Sequence, residues 1–234
     1  MKKLILGVVR ALSISRSCYA VSAEEDFKKA EELYNSENYA QAVQFYRKAA
    51  ERGHAQAQYN LGKCYALACG VEYNSTKTVK WWRKAAEQGF APAQCSLGQC
   101  YHSGYCVEYN LAEALKWYRK AVEQGNASAQ YSLGLCYHNG DGVERNLEEA
   151  VKWWRKAAEQ GQAEAQNTLG YLAQVAKWRS EAAAQGFIPA QYSLGECYCF
   201  GYGVEKNLEE AQMWYRKAAE QGFQPAIDAL KKYF

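Results

Sequence analysis

The segment LGLCYHNGDGVERNLEEAVKWWRKAAEQG, residues 133–161, decides the fold of this 234-residue chain, because close copies of it recur along the sequence. Its opening phrase, Leu-Gly-x-Cys-Tyr, occurs four times. The first three copies are 36 residues apart and the fourth follows 61 residues later, so that the copies begin at Leu61, Leu97, Leu133 and Leu194. A fixed period of this size predicts a stack of small units, each of which buries its apolar face against its neighbours.

Each unit predicts two helices joined by a short loop. In the first helix, Leu133, Gly134 and Tyr137 lie three, four and seven residues after Gln130, which places all four on one helix face. The glycine recurs in every unit, so we expect a close helix crossing at which a Cβ atom would clash, at Gly62, Gly98, Gly134, Gly170 and Gly195. Asn146 is a strong N-cap for the second helix, which ends at a glycine C′ cap. The chain is therefore predicted to be all-α.

The unit boundaries follow from this spacing. Residues 24–53 form a variant first unit with a short linker, and residues 223–234 supply a single helix whose lysines suit a solvent-facing cap. The full units between them are predicted at 54–89, 90–125, 126–161 and 187–222.

The unit at 162–186 has 25 residues and lacks both the Gly-x-Gly loop and the capping Asn. No Gly or Pro occurs from Tyr171 to Gln185, which predicts that the two helices fuse into one of roughly 20–23 residues, about 30–35 Å long. The alternative is a tight turn near 172–175 with two shortened helices. A fused helix cannot fold back on itself, so the stack is expected to divide and bend there.

The N-terminus predicts export. Met1-Lys2-Lys3 is followed by an apolar stretch and by small residues up to Ala23, an arrangement typical of a cleaved signal peptide over residues 1–23 and of a periplasmic or secreted protein. Arg10 interrupts the apolar stretch, so a cytoplasmic protein with an uncleaved N-terminus is the alternative. The sequence predicts no membrane span, because no segment approaches the ~18 apolar residues that one needs.

The nine cysteines do not predict a disulfide framework. Cys64, Cys100, Cys136 and Cys197 occupy the same slot in successive units, where helices pack on the order of 9–10 Å apart, whereas a disulfide needs Cα atoms within about 7 Å. We interpret them as small buried residues. Cys69 and Cys106 fall in neighbouring loops, where a disulfide is a hypothesis.

The repeated phrases Ala-x-Ala-Gln-x-x-Leu-Gly-x-x-Tyr, Gly-x-Gly-Val-x-x-Asn and Glu-Ala-x-x-Trp-x-Arg-Lys-Ala-Ala-Glu-Gln-Gly closely resemble the Sel-one-like repeat (SLR) family, a sister of the tetratricopeptide repeats. The resemblance covers residues 54–234, with a tetratricopeptide-like start at 24–53. It implies a right-handed α/α solenoid of antiparallel helix pairs that serves as a non-enzymatic adaptor for protein complexes, and bacterial members are often exported, several of them in signalling or host contact. Departures are the shortened unit and Ala68 and Cys106 in place of loop glycines.

Catalysis, metal binding and nucleic-acid binding find little support in the sequence. Some secreted cysteine-rich relatives are associated with β-lactam binding and weak hydrolysis, which is the alternative function, but Ser-x-x-Lys, Ser-Asp-Asn and Lys-Thr-Gly are absent here. His54, His102 and His138 have no cysteine partners at zinc-ligand spacing. The net charge is +3 without a basic block. We therefore expect no catalytic residues, no cofactor and no metal site.

The predicted partner-binding residues lie on the face of the first helices away from Leu61 and Tyr65. This face varies between copies while the scaffold repeats, and in related solenoids it lines the concave groove, so we expect a protein or peptide partner there and a monomeric chain. The alternative is that its tyrosines pack between adjacent units. The candidate residues are Tyr59, Lys63, Gln99, Tyr131, Leu135, Asn167, Tyr171, Tyr192 and Glu196.

Overall fold

The structure, a computed structural model, describes residues 23–234 and contains twelve helices and no strand in that range. The predicted signal peptide lies outside the described residues except for Ala23. The helices are α1 (23–35), α2 (Tyr39–Glu51), α3 (Ala55–Leu67), α4 (Ser75–Glu87), α5 (Ala91–Ser103), α6 (Leu111–Glu123), α7 (Ala127–Asn139), α8 (Leu147–Glu159), α9 (Ala163–Ala184), α10 (Ile188–Phe200), α11 (Leu208–Glu220) and α12 (Gln224–Tyr233). The prediction of an all-α chain is confirmed. No helix within residues 23–234 has the length and apolar character of a membrane span.

The helices fall into two compact units. Unit 1 extends to Gln124 and contains α1 to α6, and unit 2 extends from Gly125 to Phe234 and contains α7 to α12. Within unit 1, each helix from α2 to α5 packs against the next, and within unit 2 the same holds from α7 to α11. The boundary lies two helices before the shortened repeat, so the expectation that the stack divides at that repeat is wrong.

Side-chain caps fix where the second helices begin. The Asn146 side chain accepts a hydrogen bond from the backbone N–H of Glu149 at 3.0 Å, and the acidic first turn of α8 complements the positive end of the helix. Asn110 and Asn207 cap α6 and α11 in the same way. These caps explain why each loop ends at the same position in the repeat.

Each intact repeat closes its two helices around the glycine of the first helix. A Cβ atom on Gly134 would lie 2.5 Å from the Trp154 ring, and one on Gly195 would lie 2.7 Å from the Tyr215 ring. Gly62 faces Trp82 and Gly98 faces Tyr118 in the same arrangement. The predicted close crossing is therefore confirmed in four repeats.

The aromatic ring that fills each crossing is the second of the pair. The first ring lies outside the crossing, although Trp81 and Trp117 at that slot are also buried. Trp154 is 1% exposed, while Trp153 is only half-buried and lies under the Lys156 ammonium, 4.7 Å from the ring centroid. The glycine explains the difference, because its missing side chain leaves room for the second ring. The first ring instead packs under a lysine three residues later.

The shortened repeat forms one continuous helix. Helix α9 has 22 residues, about 33 Å at 1.5 Å per residue, and contains no turn. The fused-helix prediction is confirmed, and the tight turn near 172–175 is excluded. Helix α9 packs against α8 on one side and α10 on the other, with Leu172 and Ala176 among its buried residues.

Neutral amides tie the ends of each intact repeat together. The Gln160 side chain donates to the Gln130 side chain at 2.8 Å, and Gln221 donates to Gln191 at the same distance. Gln88 pairs with Gln58 at 2.6 Å and Gln124 with Gln94 at 2.8 Å. The repeated Gln therefore has a structural role that links the end of the second helix to the start of the first.

All cysteines within residues 23–234 are free thiols. Cys64, Cys100 and Cys136 are buried, and burial raises the pKa of each thiol to about 12. The interpretation of this slot as a buried apolar position is confirmed. The Cys69–Cys106 disulfide is not formed, because the Cys69 thiol contacts the Leu67 carbonyl in its own loop and the Cys106 thiol lies 4.0 Å from the Tyr73 hydroxyl.

Candidate functional site

The fused helix brings together two loops that belong to non-adjacent repeats. In unit 2, the His138 Nε2 atom lies 2.9 Å from the Tyr202 hydroxyl, and the two rings are nearly parallel. The Lys206 ammonium lies 2.6 Å from the Glu148 carboxylate. In both pairs, one residue lies in the last turn of α7 or the first turn of α8, and the other belongs to the loop between α10 and α11. The loop that would separate them is the one the shortened repeat lacks.

This contact builds a groove in unit 2 with a volume of about 750 Å³. The start of α8 forms one wall, the last turns of α10 form the second, and the end of α12 forms the third. Phe200 and Tyr233 meet edge to face at 5.6 Å on the aromatic side of the groove. The groove is open, and its lining combines aromatic rings with charged side chains.

Glu196 is the polar group of the groove with the most perturbed environment. Its carboxylate is half-buried, and burial raises its pKa above the ordinary value, although a hydrogen bond from the Tyr192 hydroxyl and the charges of Arg179 and Arg145 favour the ionised form. The Tyr192 oxygen lies 3.1 Å from the carboxylate. At Glu196 the effect of burial on the pKa therefore outweighs that of the hydrogen bond and of the two arginine charges.

More carboxylates than cations line the groove. Glu144, Glu148, Glu149 and Glu196 line it with Arg145 and Lys232, and two of the carboxylates are already paired, Glu148 with Lys206 and Glu149 with Lys152. Arg145 already donates from Nε to the His138 carbonyl at 3.0 Å. An additional cation entering beside Glu196 would meet a carboxylate close by and aromatic faces around it.

Two of the predicted binding residues, Tyr59 and Tyr192, have mainly a packing role. Tyr59 lies between the Trp82 and Phe90 rings, with centroids 6.1 and 5.5 Å away. Tyr192 packs in the same way against Tyr215 and Phe223, and burial raises its pKa to about 12. Each tyrosine ring contacts the phenylalanine at the N-cap of the first helix of the next repeat, Phe90 or Phe223, as the inter-repeat alternative predicts.

Two further predicted residues, Tyr131 and Leu135, face α9. Both are half-buried against the cluster that contains Trp154 and Leu172, and the Tyr131 hydroxyl lies 3.4 Å from the Thr168 hydroxyl. They contribute to the packing of the fused helix, and their role in partner binding stays a prediction.

The remaining predicted residues lie on separate surfaces. The Lys63 ammonium lies 5.8 Å from the Tyr59 ring centroid, and Gln99 is exposed on α5. Asn167 and Tyr171 are exposed on α9, where Tyr171 is 65% exposed. Glu196 is the one predicted residue that lines the unit 2 groove.

Several lining residues of the groove were not predicted from the sequence. Phe200 is four residues after Glu196 on α10, and its slot reads Leu67, Ser103 and Asn139 in other repeats, so variation at this slot was an available signal. Arg145 and Lys232 come from the start of α8 and from α12. Nothing in the repeat pattern indicates that these helix ends meet α10, because their proximity depends on the missing loop.

The histidines have structural partners. His54 caps α3 by accepting from the backbone N–H of Ala57 at 3.1 Å, and its ring stacks on Phe27 at 4.4 Å. Within residues 23–234, no group of three His, Cys, Asp or Glu side chains has an arrangement that could hold a metal ion.

The repeats match a known family. The Sel1 repeat matches residues 35–54, 55–90, 91–126, 127–162 and 188–223, which leaves out all of α9. No functionally curated relative matches the chain. Among solved structures, c5321, a protective antigen of uropathogenic Escherichia coli with an SLR fold, is 33% identical with a TM-score of 0.62 over 93% of this chain. This chain spans 50% of the length of that protein.

A second solved structure agrees with the first. A Sel1 repeat protein from Oxalobacter formigenes is 33% identical, with a TM-score of 0.58, and the alignment covers 88% of this chain and 86% of the other. Together with five repeat matches that extend over most of the sequence, these likenesses identify a helical solenoid fold. The chain belongs to the Sel1 repeat family.

Proposed function

We propose that this chain is a non-enzymatic scaffold that binds a protein segment carrying a lysine or arginine in the groove of unit 2. Sel1 repeat proteins typically serve as protein-interaction scaffolds. The observation that carries the finer proposal is the Glu196 carboxylate, half-buried in an open groove lined by more carboxylates than cations.

The chemistry of the groove favours a cationic side chain next to an apolar one. Desolvation raises the pKa of Glu196, so an incoming cation regains part of the free energy that burial costs the ionised carboxylate. Phe200 and Tyr233 offer ring faces to the aliphatic part of a lysine or to a guanidinium. The volume, about 750 Å³, suits several residues of an extended peptide rather than one side chain.

The test is to select binding peptides from a random library and to measure their affinity by calorimetry. We expect enrichment of Lys or Arg, and a loss of at least about tenfold in affinity for Glu196→Gln and Phe200→Ala. The matched control is Glu220→Gln, an exposed carboxylate outside the groove, which should bind like the parent chain. Selected peptides without basic residues, or unchanged affinity in both groove variants, would contradict the proposal.

Hydrolysis of a β-lactam is the rival activity. The chain should not turn over a chromogenic cephalosporin. Turnover that a single Ser or Cys substitution abolishes would overturn the non-enzymatic proposal.

We also propose that the chain is exported, which the basic and apolar start of the sequence supports. Sequencing the N-terminus of the protein isolated from its own cells tests this. A mature chain that begins at Glu24 is expected, and a retained Met1 would indicate a cytoplasmic protein.

A further inference from the structure

One face of helix α9 is exposed, although the corresponding face of the other first helices is buried. A Cβ atom on Gly170 would meet nothing within 4 Å, whereas the equivalent atom on Gly134 would clash with Trp154. No aromatic ring occupies the space beside Gly170, because the loop that would fold the second helix back is missing. We call this open space the Gly170 cradle.

The second half of α9 has the complementary feature. Trp178 occupies the slot of Trp81 and Trp117, which are 8% exposed, yet Trp178 is 56% exposed. In the intact repeats a lysine three residues later covers the tryptophan, but Glu181 stands at that position after Trp178. An uncovered tryptophan thus lies about two helical turns from an empty glycine cradle on one helix.

The two features share one side of α9. At about 100° per residue, Asn167, Gly170, Gln174, Trp178 and Glu181 form one stripe opposite the buried Leu172. Gly170 and Trp178 lie at equal distances in sequence from Gln174. A second α9, antiparallel and related by a two-fold axis at Gln174, would place Trp178 of each copy opposite Gly170 of the other.

We propose that α9 pairs antiparallel with α9 of a second copy of this chain, with Trp178 of each copy filling the Gly170 cradle of its partner. Fusing two helices by removing their loop is a known route to exchange of contacts between copies, because the hairpin partner can come only from another chain. The pairing places an aromatic ring against a glycine between two chains, as each intact repeat does within one chain, although here the ring comes from the first aromatic slot of the repeat.

The side chains on the stripe are compatible with this pairing. In this register, Asn167 faces Glu181, so an amide N–H can donate to a carboxylate. The register places no like charges opposite each other. A second copy is therefore a self-complementary occupant of this face.

The size of the contact sets the expected affinity. The stripe is about 33 Å long, and a packed helix pair is about 10 Å across, so the interface lies at the small end of specific protein contacts. We expect a dissociation constant on the order of micromolar. The dimer proposal replaces the expectation of a monomer, which rested on sequence alone. It does not depend on the peptide groove, which α9 does not line.

Sedimentation equilibrium of the full chain between about 1 and 100 µM tests the proposal. A monomer–dimer equilibrium is expected, based on a chain mass of 26.4 kDa. Gly170→Leu and Trp178→Ala should each raise the dissociation constant by at least about tenfold. Gly170→Leu also removes a helix glycine, so it should fold at least as well as the parent chain. Tyr109→Ala, an exposed aromatic residue on a loop of unit 1, is the control and should dimerise normally.

Cross-linking tests the register. Gln174→Cys places one thiol of each copy on the two-fold axis, and a short bismaleimide should link two chains, whereas Ser180→Cys, exposed but off the stripe, should give only the background of the parent chain. A chain that stays monomeric at 100 µM would overturn the proposal, with about 100 µM as the upper limit for a weak specific dimer. So would a dimer that survives both substitutions or a Gln174→Cys chain that does not cross-link.

Discussion

The hairpin α7–α8 and the fused helix α9 begin with nearly the same phrase and end differently. Both carry Leu-Gly on the first half and a Trp on the second, at Trp153 and Trp178. In the hairpin, Gly134 closes on Trp154, whereas in α9 the cradle at Gly170 is open. Two differences separate the regions: α9 lacks the loop that would fold its second half back, and Arg179 stands at the slot of Trp154.

The fused helix also changes the neighbours of the repeats beside it. Without its loop, His138 reaches Tyr202 and Glu148 reaches Lys206. In unit 1, where no loop is missing, adjacent repeats make the loop contact instead, with the Tyr73 and Tyr105 hydroxyls 2.6 Å apart. The groove that contains Glu196 is thus a consequence of the deletion.

The largest expected effect comes from restoring the missing loop. Replacing residues 171–177 with a copy of residues 135–152 gives the shortened unit its full 36-residue length. The loops around His138 and Tyr202 should then separate, and affinity for groove peptides should fall by about a hundredfold. Calorimetry measures the affinity, and circular dichroism checks the helix content. Binding at the parental level would show that the deletion does not form the groove.

A matched pair of alanine substitutions tests whether the helix crossing is closed in the hairpin and open in the fused helix. Gly134→Ala forces a methyl group against Trp154 and should lower the free energy of unfolding by about 2 kcal/mol. Gly170→Ala meets open space and removes a helix glycine, so it should raise the same quantity by about 1 kcal/mol. Urea unfolding below about 1 µM, where chains are separated, measures both. A change in the free energy of unfolding that has the same sign in both variants would contradict the difference between the two crossings.

A smaller effect is expected from backbone strain in the loops of the intact repeats. Ala68 has a φ of +56° at the slot where Gly140 has +85° and Gly201 has +69°. An L residue in this left-handed region costs about 1–2 kcal/mol, so Ala68→Gly should stabilise the chain by about 1 kcal/mol. Gly140→Ala is the reverse control and should destabilise it by a similar amount. Thermal unfolding of both variants provides the check.

The smallest expected effect concerns the pH dependence of stability. Burial raises the pKa of Glu196 above 4.5, so the folded chain holds this proton more tightly than the unfolded chain does. The stabilisation that the protonated Glu196 gives the folded chain is fully present below pH 4.5 and is lost as the pH rises through the raised pKa. Glu196→Gln, which cannot ionise, should therefore unfold at a slightly higher temperature at neutral pH and at the parental temperature in acid. A lower unfolding temperature at neutral pH would contradict this.

Much of the fold could be predicted because each repeat contains the same short-range signals for where its helices begin and end. The Asn caps, the terminal glycines and the absence of Gly or Pro after Tyr171 act within a few residues, and the structure confirms the helix pairs and the fused helix. The depth of the second aromatic ring was not predicted, because it depends on the facing glycine, a contact between helices that periodicity alone does not assign.

The candidate site could be predicted only in part, for a related reason. Variation between repeats identified Glu196, but it also selected Tyr59 and Tyr192, whose rings fill space between repeats. A position that varies between repeats contacts either a binding partner or a different neighbouring side chain, and the sequence alone does not distinguish the two cases. The groove itself joins helix ends from repeats that become neighbours through the deletion.

The length of that deletion has a consequence of its own. In the fused helix no loop separates the two halves, so the number of residues between them sets their relative rotation, at about 100° per residue. Ala165 and Leu172 from the first half, and Ala176 and Ala183 from the second, are buried together. A loss of about nine residues would turn the second half by roughly half a revolution and expose its apolar side. Helical phase therefore restricts the lengths by which such a repeat can shrink and still pack against both neighbours.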